Sequence, residues 1–430
     1  MLAVLLADDL TGAADTAAAF LGAGRKVSVS LFEPGGGLTP PSCDVWAIDV
    51  SSRGCSAEEA YRRTLEAVTG LPDGGIPILY KKLDSALRGN PGSECEAILE
   101  VTGAELCIVA PAVPRLRRTT SSGVQMIDGI PVHETEMGRD PMNSVLSSEV
   151  AATLAQPARY PDGHVAASSD PAETAAALRL LASQGKRYAF CDALTDEHLD
   201  NLVSAGEQSG LHLVWAGAAG LAQALARGLY RRAPQEEQPE PAAFLGENGA
   251  EEGNIWFISG SQTAVTAVQL SKLEDLCVSG RYFTGQELME TDGEDADVLS
   301  SEPLEGDAVL AMGKQEGAAQ WLQEKAAQRG MTLSLASEML LRNLAKEAGA
   351  LLSASPRVTR LVLNGGETAR AVMKELGISV FSLHREWEPG IIEASCDGPR
   401  PFKLVTKSGA FGDEEALVRI WKAHRRGVGK

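Results

Sequence analysis

The chain begins Met1-Leu2-Ala3-Val4-Leu5-Leu6-Ala7-Asp8-Asp9-Leu10-Thr11-Gly12, and residues 13–21 follow with a helical pattern. A short, continuous apolar run that ends in polar residues and opens a helix reads as a buried strand of a parallel sheet. The same pattern recurs along the chain. Residues 27–31, 45–49, 78–82, 106–110 and 188–191 are further strand candidates, with helical stretches at 56–68 and 172–183. In the second half, 255–259, 308–311, 360–364 and 402–406 read as buried strands, each followed by a helix or a glycine-rich turn. Strands alternating with helices indicate α/β architecture with mostly parallel sheets flanked by helices.

The length of 430 residues exceeds one ordinary core, so two or more domains are expected. Residues 231–254, RRAPQEEQPEPAAFLGENGAEEGN, are dominated by Pro, Glu, Gln and Gly. They read as a linker between domains at 1–230 and 255–430. A second acidic stretch, 287–305, reads as an exposed loop. Lys+Arg is 39 against Asp+Glu 58, a net charge of −19. Such a chain repels nucleic acid and anionic membrane surfaces, so neither partner is expected. No run of 18 apolar residues marks a membrane span. The seven cysteines include no CxxC pair, and the six histidines show no HxxxH or HExxH spacing. No protein metal site or disulfide framework is expected, and the expected location is the reduced cytoplasm.

Ligands of open α/β sheets bind outside the carboxyl ends of the strands. The residues that follow each apolar run are therefore the site candidates. Asp8 and Asp9 could accept a substrate hydroxyl proton, hold a metal-bound water, or simply cap the following helix. The run Lys81-Lys82-Leu83-Asp84-Ser85-Ala86-Leu87-Arg88-Gly89-Asn90 concentrates positive charge in an acidic protein. Arg88 suits a bidentate grip on a carboxylate, although a local surface ion pair gives the same pattern. Residues 111–141 read as a long irregular stretch carrying His133, Thr135, Arg139 and Asp140, and such stretches commonly line a site. His133 taken alone is more often a structural histidine than a catalyst. In the second half, Ser259-Gly260-Ser261-Gln262-Thr263, Asn364-Gly365-Gly366-Glu367-Thr368 and Lys407-Ser408-Gly409-Ala410-Phe411-Gly412-Asp413 are turns at strand ends. Glycine lets backbone N–H groups approach phosphate oxygens, and a helix start adds partial positive charge. Singly each is a common turn; three in one domain suit a polyphosphate such as ATP. Neither GxxxxGK[ST] nor GxGxxG is present.

The set Ala7-Asp8-Asp9-Leu10-Thr11-Gly12, Lys82-Leu83-Asp84-Ser85-Ala86-Leu87-Arg88-Gly89-Asn90, Gly365-Gly366-Glu367-Thr368 and Lys407-Ser408-Gly409-Ala410-Phe411-Gly412 resembles the four-carbon acid sugar kinase family. The resemblance runs from near the first residue to near the last. It implies an N-terminal domain that binds a sugar acid, a C-terminal domain that binds the nucleotide, and an active site in the cleft between them. It implies transfer of phosphate from ATP, with Mg²⁺, to the terminal hydroxyl of threonate, erythronate or 3-oxo-tetronate. The catalytic candidates are Asp9, Asp8 and Asp84, with Asp9 favoured as base and His133 in reserve. The acid-binding candidates are Lys82, Arg88, Thr11, Asn90, His133, Thr135 and Asp140. The nucleotide-binding candidates are Ser259, Ser261, Gly365, Gly366, Glu367, Thr368, Ser408, Gly409 and Gly412. Ala86 stands where the family more often has Thr. Arg117-Arg118 stand for its usual Gly-Arg, Ala218-Ala219 lie in a stretch usually richer in Gly and Ser, and Ser144 stands where Pro is frequent. Two other readings are a non-catalytic sensor of an acidic metabolite and a phosphatase with Asp8 as nucleophile. The phosphatase would need an Asp-x-Asp-x-Thr spacing that adjacent acids do not give.

Overall fold

The structure is a computed structural model, and it describes residues 1–72, 75–139, 144–154, 162–232, 253–276, 278–290, 299, 304–314, 317–397 and 400–426. The chain forms two compact units, Met1–Gln238 and Pro239–Lys430.

In the first unit the strands are β1 (Ala3–Ala7), β2 (Val27–Leu31), β3 (Val45–Asp49), β4 (Ile78–Lys82), β5 (Leu106–Ala110), β6 (Arg118–Ser121), β7 (Val124–Ile127), β8 (Ile130–Pro131), β9 (Asp162–Val165), β10 (Tyr188–Cys191) and β11 (Leu213–Gly217). The main sheet runs β2-β3-β1-β4-β11-β5-β10-β9, and every neighbouring pair is parallel. Strands β1 to β5 are buried along their whole length, as a two-sided sheet requires. The helices are α1 (Leu10–Ala18), α2 (Ala57–Thr69), α3 (Pro91–Thr102), α4 (Val150–Leu154), α5 (Pro171–Ser183), α6 (Asp196–Ser209) and α7 (Ala219–Arg232). Val4, Leu6, Trp46, Ile48, Leu79, Ile98, Leu99 and Val109 build one core on the α2–α3 side. The buried indole of Trp46 is satisfied by Ser30 Oγ at 2.8 Å, and the buried Tyr80 hydroxyl by the Ala218 carbonyl at 2.6 Å.

Two expectations change here. Helix α1 starts at Leu10, not residue 13, because Asp9 caps it. Within the stretch 111–141, residues 118–131 are not irregular: β6, β7 and β8 form a small antiparallel sheet. Strands β9 and β11 carry too little apolar contrast, or sit too close to a helix, to stand out in sequence.

In the second unit the strands are β12 (Asn254–Ser259), β13 (Ser279–Phe283), β14 (Ala308–Met312), β15 (Val358–Asn364), β16 (Val380–Glu388), β17 (Ile391–Cys396) and β18 (Phe402–Lys407). Their order is β13-β14-β12-β15-β18-β17-β16; β13 to β18 pair in parallel through β12 and β15, whereas β16 and β17 are antiparallel. The helices are α8 (Ala264–Glu274), α9 (Gly285–Glu290), α10 (Ala318–Gln328), α11 (Leu333–Ser353), α12 (Gly366–Glu375) and α13 (Ala416–Arg426). Of the expected linker 231–254, residues 231–232 end α7 and residue 254 opens β12; residues 233–252 lie outside the described residues. Of the acidic stretch 287–305, residues 287–290 are helical in α9, and most of the rest lies outside the described residues. No described helix is long and apolar enough to cross a membrane.

Candidate active site

The parallel register of the first unit aligns its strand ends. Ala7 pairs with Asp49, Leu6 with Lys81, and Gly217 with both Lys82 and Ala110. The segments that leave β1, β3 and β4 therefore emerge side by side. Asp8 follows β1, the turn 51–55 follows β3, and the segment 83–90 follows β4.

The turn after β3 delivers a residue that sequence reasoning missed. Arg53 Nε and Nη2 donate to Asp8 Oδ2 and Oδ1, at 2.7 and 2.9 Å. Its Nη1 and Nη2 also donate to Asp9 Oδ2 and Oδ1, at 2.8 and 2.9 Å. One guanidinium thus joins both acids. The turn is fixed by backbone bonds from Ser52 and Arg53 to the Asp8 carbonyl and by Asn90 Nδ2 donating to the Ser52 and Cys55 carbonyls. No motif marks Arg53; its only signal is its position just after a strand's carboxyl end.

Asp9 also accepts from the Gly12 N–H at 3.0 Å and the Thr11 hydroxyl at 2.8 Å. With Arg53, four donors occupy its two oxygens. It is a helix cap and an ion-pair partner together. Among the described residues, the side-chain donors to Asp8 are Arg53 Nε and Nη2, and Asp8 is almost fully buried. Burial raises a carboxyl pKa, but Arg53, Lys81 and Lys82 outweigh it and bring Asp8 down to about 2.

Asp84 and Arg88 close on each other through Arg88 Nε–Asp84 Oδ2 at 2.8 Å and Nη2–Oδ1 at 3.0 Å. Burial works against the Asp84 anion, yet Arg88, Arg53 and Lys82 hold it well below the usual carboxylate range. Lys81 pairs with buried Glu94 at 3.0 Å, and Ser52 Oγ donates to the same carboxylate. Lys82 Nζ lies beside the start of α1: a Cβ on Gly12 would stand 2.8 Å from it and against Asp9 Oδ1. Arg118, on β6, donates to Ser85 Oγ, and Gln125 Nε2 on β7 donates to the Ser85 carbonyl at 2.9 Å.

The structure thus brings Asp8, Asp9, Thr11, Lys82, Asp84, Arg88 and Asn90 to the carboxyl ends of β1, β3 and β4. His133 does something else among the described residues: its Nδ1 and backbone N–H both engage Ser148 Oγ, at 2.7 and 3.0 Å. Thr135 Oγ1 donates to the Val132 carbonyl, a local turn. Asp140 lies outside the described residues. A cavity of about 810 Å³ in this unit opens at the amino ends of β1, β4 and β11, among Leu2, Val68, Ile78 and Leu213, away from all these side chains.

In the second unit, Ser259 pairs with Asn364 and Asn364 with Lys407, one row across β12, β15 and β18. The three glycine turns leave from this row and bond to one another. Gly260 N–H donates to Thr368 Oγ1 at 3.1 Å; Thr266 and Thr263 donate to the Gly409 carbonyl at 3.0 and 3.1 Å; Gly365 N–H donates to the Lys407 carbonyl at 2.8 Å. Ser261 Oγ lies 3.0 Å from Thr266 Oγ1. Asn364 Nδ2 donates to Ser259 Oγ at 3.0 Å. Lys407 Nζ donates to Asn364 Oδ1 and to the Ser408 and Gly409 carbonyls, at 3.1, 3.1 and 3.2 Å. Burial brings this lysine down to about 8.

Gly365 has φ +103°, a conformation that L side chains rarely adopt, and no side chain caps the helix α12 that follows it. Gly366, Glu367 and Thr368 form its first turn. Exposed N–H groups at a helix start, beside glycine turns, fit the oxygens of a phosphate. Ser408 N–H is held by the Gly390 carbonyl, and Gln269 Nε2 reaches the Gly412 carbonyl at 3.4 Å. Asn364, Thr266 and Lys407 join this site although none was among the expected contacts. Among the described residues, no group of three or more His, Cys, Asp or Glu side chains is arranged to hold a metal.

Residues 3–225 match the family model of a sugar-binding N-terminal domain, and residues 256–417 that of a nucleotide-binding C-terminal domain. A D-threonate kinase of Cupriavidus necator is 32% identical over 98% of this chain and 97% of its own length. A 3-oxo-tetronate kinase of Brucella melitensis is 30% identical over 97% and 94%. A D-erythronate kinase of Heliobacterium modesticaldum is 27% identical over 96% and 94%. Among solved structures, one from Salmonella typhimurium, described as a putative tRNA synthase, has a TM-score of 0.75 at 26% identity, covering 98% of this chain and 99% of that one.

Proposed function

Because the chain belongs to the four-carbon acid sugar kinase family, we propose that it transfers the γ-phosphoryl group of ATP to the terminal hydroxyl of a four-carbon sugar acid. The observation that carries this reading is the row Ser259, Asn364 and Lys407, whose three following turns are bonded into one cradle. A cradle of glycine turns and an uncapped helix start suits a polyphosphate. The residues that would hold the nucleotide are Ser259, Ser261, Gly365, Gly366, Glu367, Thr368, Ser408, Gly409 and Gly412. Mg²⁺ would be carried by the phosphates and spread their charge.

In this reading residues 1–230 bind the acid and residues 255–430 the nucleotide. Asp8 orients the attacking hydroxyl. Asp9 has four donors on its oxygens, whereas the two Arg53 bonds leave Asp8 with acceptor capacity. An Asp8 at about pKa 2 is a weak base but a permanently charged acceptor. That suffices where the transition state is loose and positioning dominates. Lys82, beside Asp9 and Gly12, adds positive charge for the phosphoryl oxygens in flight. Arg53 fixes both acids, and Asp84 fixes Arg88.

The test is an ATP-consumption screen over D- and L-threonate, D- and L-erythronate and 3-oxo-tetronate, with the product identified by mass spectrometry. A phosphorylated four-carbon acid supports the reading. Acid-independent ATP hydrolysis alone, or no turnover with any acid, would sink it.

A further inference from the structure

Several cations gather near the carboxyl ends of the first unit's strands and on the hairpin beside them, among them Arg53, Lys81, Lys82, Arg88, Arg117 and Arg118. Four are matched to carboxylates: Arg53 to Asp8 and Asp9, Lys81 to Glu94, Arg88 to Asp84, and Arg117 to Asp128. Lys82 and Arg118 have no carboxylate within ion-pair distance among the described residues. Lys82 faces the acids at the start of α1. Arg118 stands apart from them, against the 83–90 segment.

Arg118 is held from several sides. Its N–H and carbonyl both bond Val113, the carbonyl accepting from Val113 N–H at 2.7 Å. Thr120, two residues on, exchanges backbone bonds with Ala193 at 3.0 Å. Gln125, on the paired strand, is anchored to the Ser85 and Pro111 carbonyls, and Thr120 Oγ1 donates to it at 2.6 Å. The guanidinium spends one N–H on Ser85 Oγ. The side chain is half-buried, and burial lowers its pKa, with Asp84 opposing. A partly desolvated guanidinium with most of its donors unspent is a receptor for an anion, because its planar fork matches a carboxylate's two oxygens.

We propose, resting on the kinase reading above, that Arg118 receives the carboxylate of the sugar acid. The expectation from sequence gave that task to Arg88. Asp84 already engages Arg88 on two nitrogens, so a substrate carboxylate there would compete with a resident one. Ser85 couples the two ends of the acid's site: it holds the Arg118 fork and lies next to Asp84 in the same segment. Arg118 therefore selects acids over neutral polyols, and Arg88 is a positioning residue that shapes the 83–90 segment.

The test uses the full-length enzyme and whichever of the screened acids wild type phosphorylates best. Arg118→Ala should raise KM for that acid by about 10- to 100-fold, the worth of charge-assisted hydrogen bonds to one carboxylate. kcat at saturation and KM for ATP should change little, and added guanidinium ion should restore part of the loss. Arg118→Lys, which keeps charge without the fork, should lie between, and it is the variant to read if Arg118→Ala does not fold. An unchanged acid KM in either variant overturns the proposal. So does a loss that falls equally on the acid KM and the ATP KM without guanidinium rescue, which is the mark of a structural role. A wild-type enzyme that phosphorylates none of the acids overturns the kinase reading and this proposal with it. A wild type that phosphorylates one, with an indifferent Arg118→Ala, overturns this proposal alone.

Discussion

Lys407 Nζ donates to Asn364 Oδ1 at 3.1 Å, and the two residues stand in register on neighbouring strands with no carboxylate paired to the lysine among the described residues. The lysine is fully buried, and burial lowers its pKa from 10.5 to about 8. Below pH 8 both folded and unfolded chains carry this proton. Between about 8 and 10.5 the unfolded chain binds more protons at this position, so the lysine's contribution to stability rises with pH there. Wild type should gain stability relative to Lys407→Met across that window in urea titrations. A flat difference would show that the lysine is not desolvated. Lys407→Met should also weaken ATP binding, because it frees the Ser408 and Gly409 carbonyls that the ammonium restrains.

Arg53→Met should destabilise the protein by about 3 kcal/mol, since it leaves two mostly buried carboxylates without their shared partner. Asp8 is depressed from 3.8 to about 2. Its stabilising contribution is present above pH 4 and lost as the pH falls through about 2. Acid unfolding of wild type should therefore lie at lower pH than that of Arg53→Met, followed by far-UV circular dichroism.

Asp8→Asn should lower kcat by about 10²-fold, the cost of losing the charged acceptor that orients the attacking hydroxyl, with ATP affinity retained. Asp9→Asn should cost less, because Asn caps a helix as well as Asp does. Single-turnover rates for both variants decide the assignment. A larger loss for Asp9→Asn would return the role to Asp9.

Gly365→Ala puts a side chain at φ +103°. The strain should cost about 1–3 kcal/mol, and calorimetry should show weaker ATP binding in the protein that remains folded. ATP affinity equal to wild type would remove the α12 start from the nucleotide site.

Central strands such as β1 and β5 were legible because two-sided burial writes an uninterrupted apolar run, AVLLA and LCIVA, whereas the equally central β11, LVWAG, was not, because it runs into the apolar start of α7. Sheet margins were not. Strand β13 reads SGRYF and β9 reads DGHV, with exposed positions that break the run. Strand β16, VFSLHREWE, carries charge through an antiparallel pair. The candidate site was legible where side chains directly end a strand, as with Asp8 and Lys82. Arg53 and Arg118 were not, because a turn and a hairpin bring them in from other elements. Nothing in the local pattern records which carboxylate a given arginine meets. For Arg88 the sequence left a carboxylate grip and a local ion pair open, and the structure pairs it with Asp84, four residues away.

The small sheet of β6, β7 and β8 stands outside the strand order of the main sheet, yet it is stitched to it by bonds to Ser85, Pro111, Val113, Asp192 and Ala193 and by Ile127, which packs against the main core. The hairpin that bears Arg118 is thus a spacer between strand ends: a change in its length or register would displace Arg118 and the segment carrying Asp84 and Arg88 together.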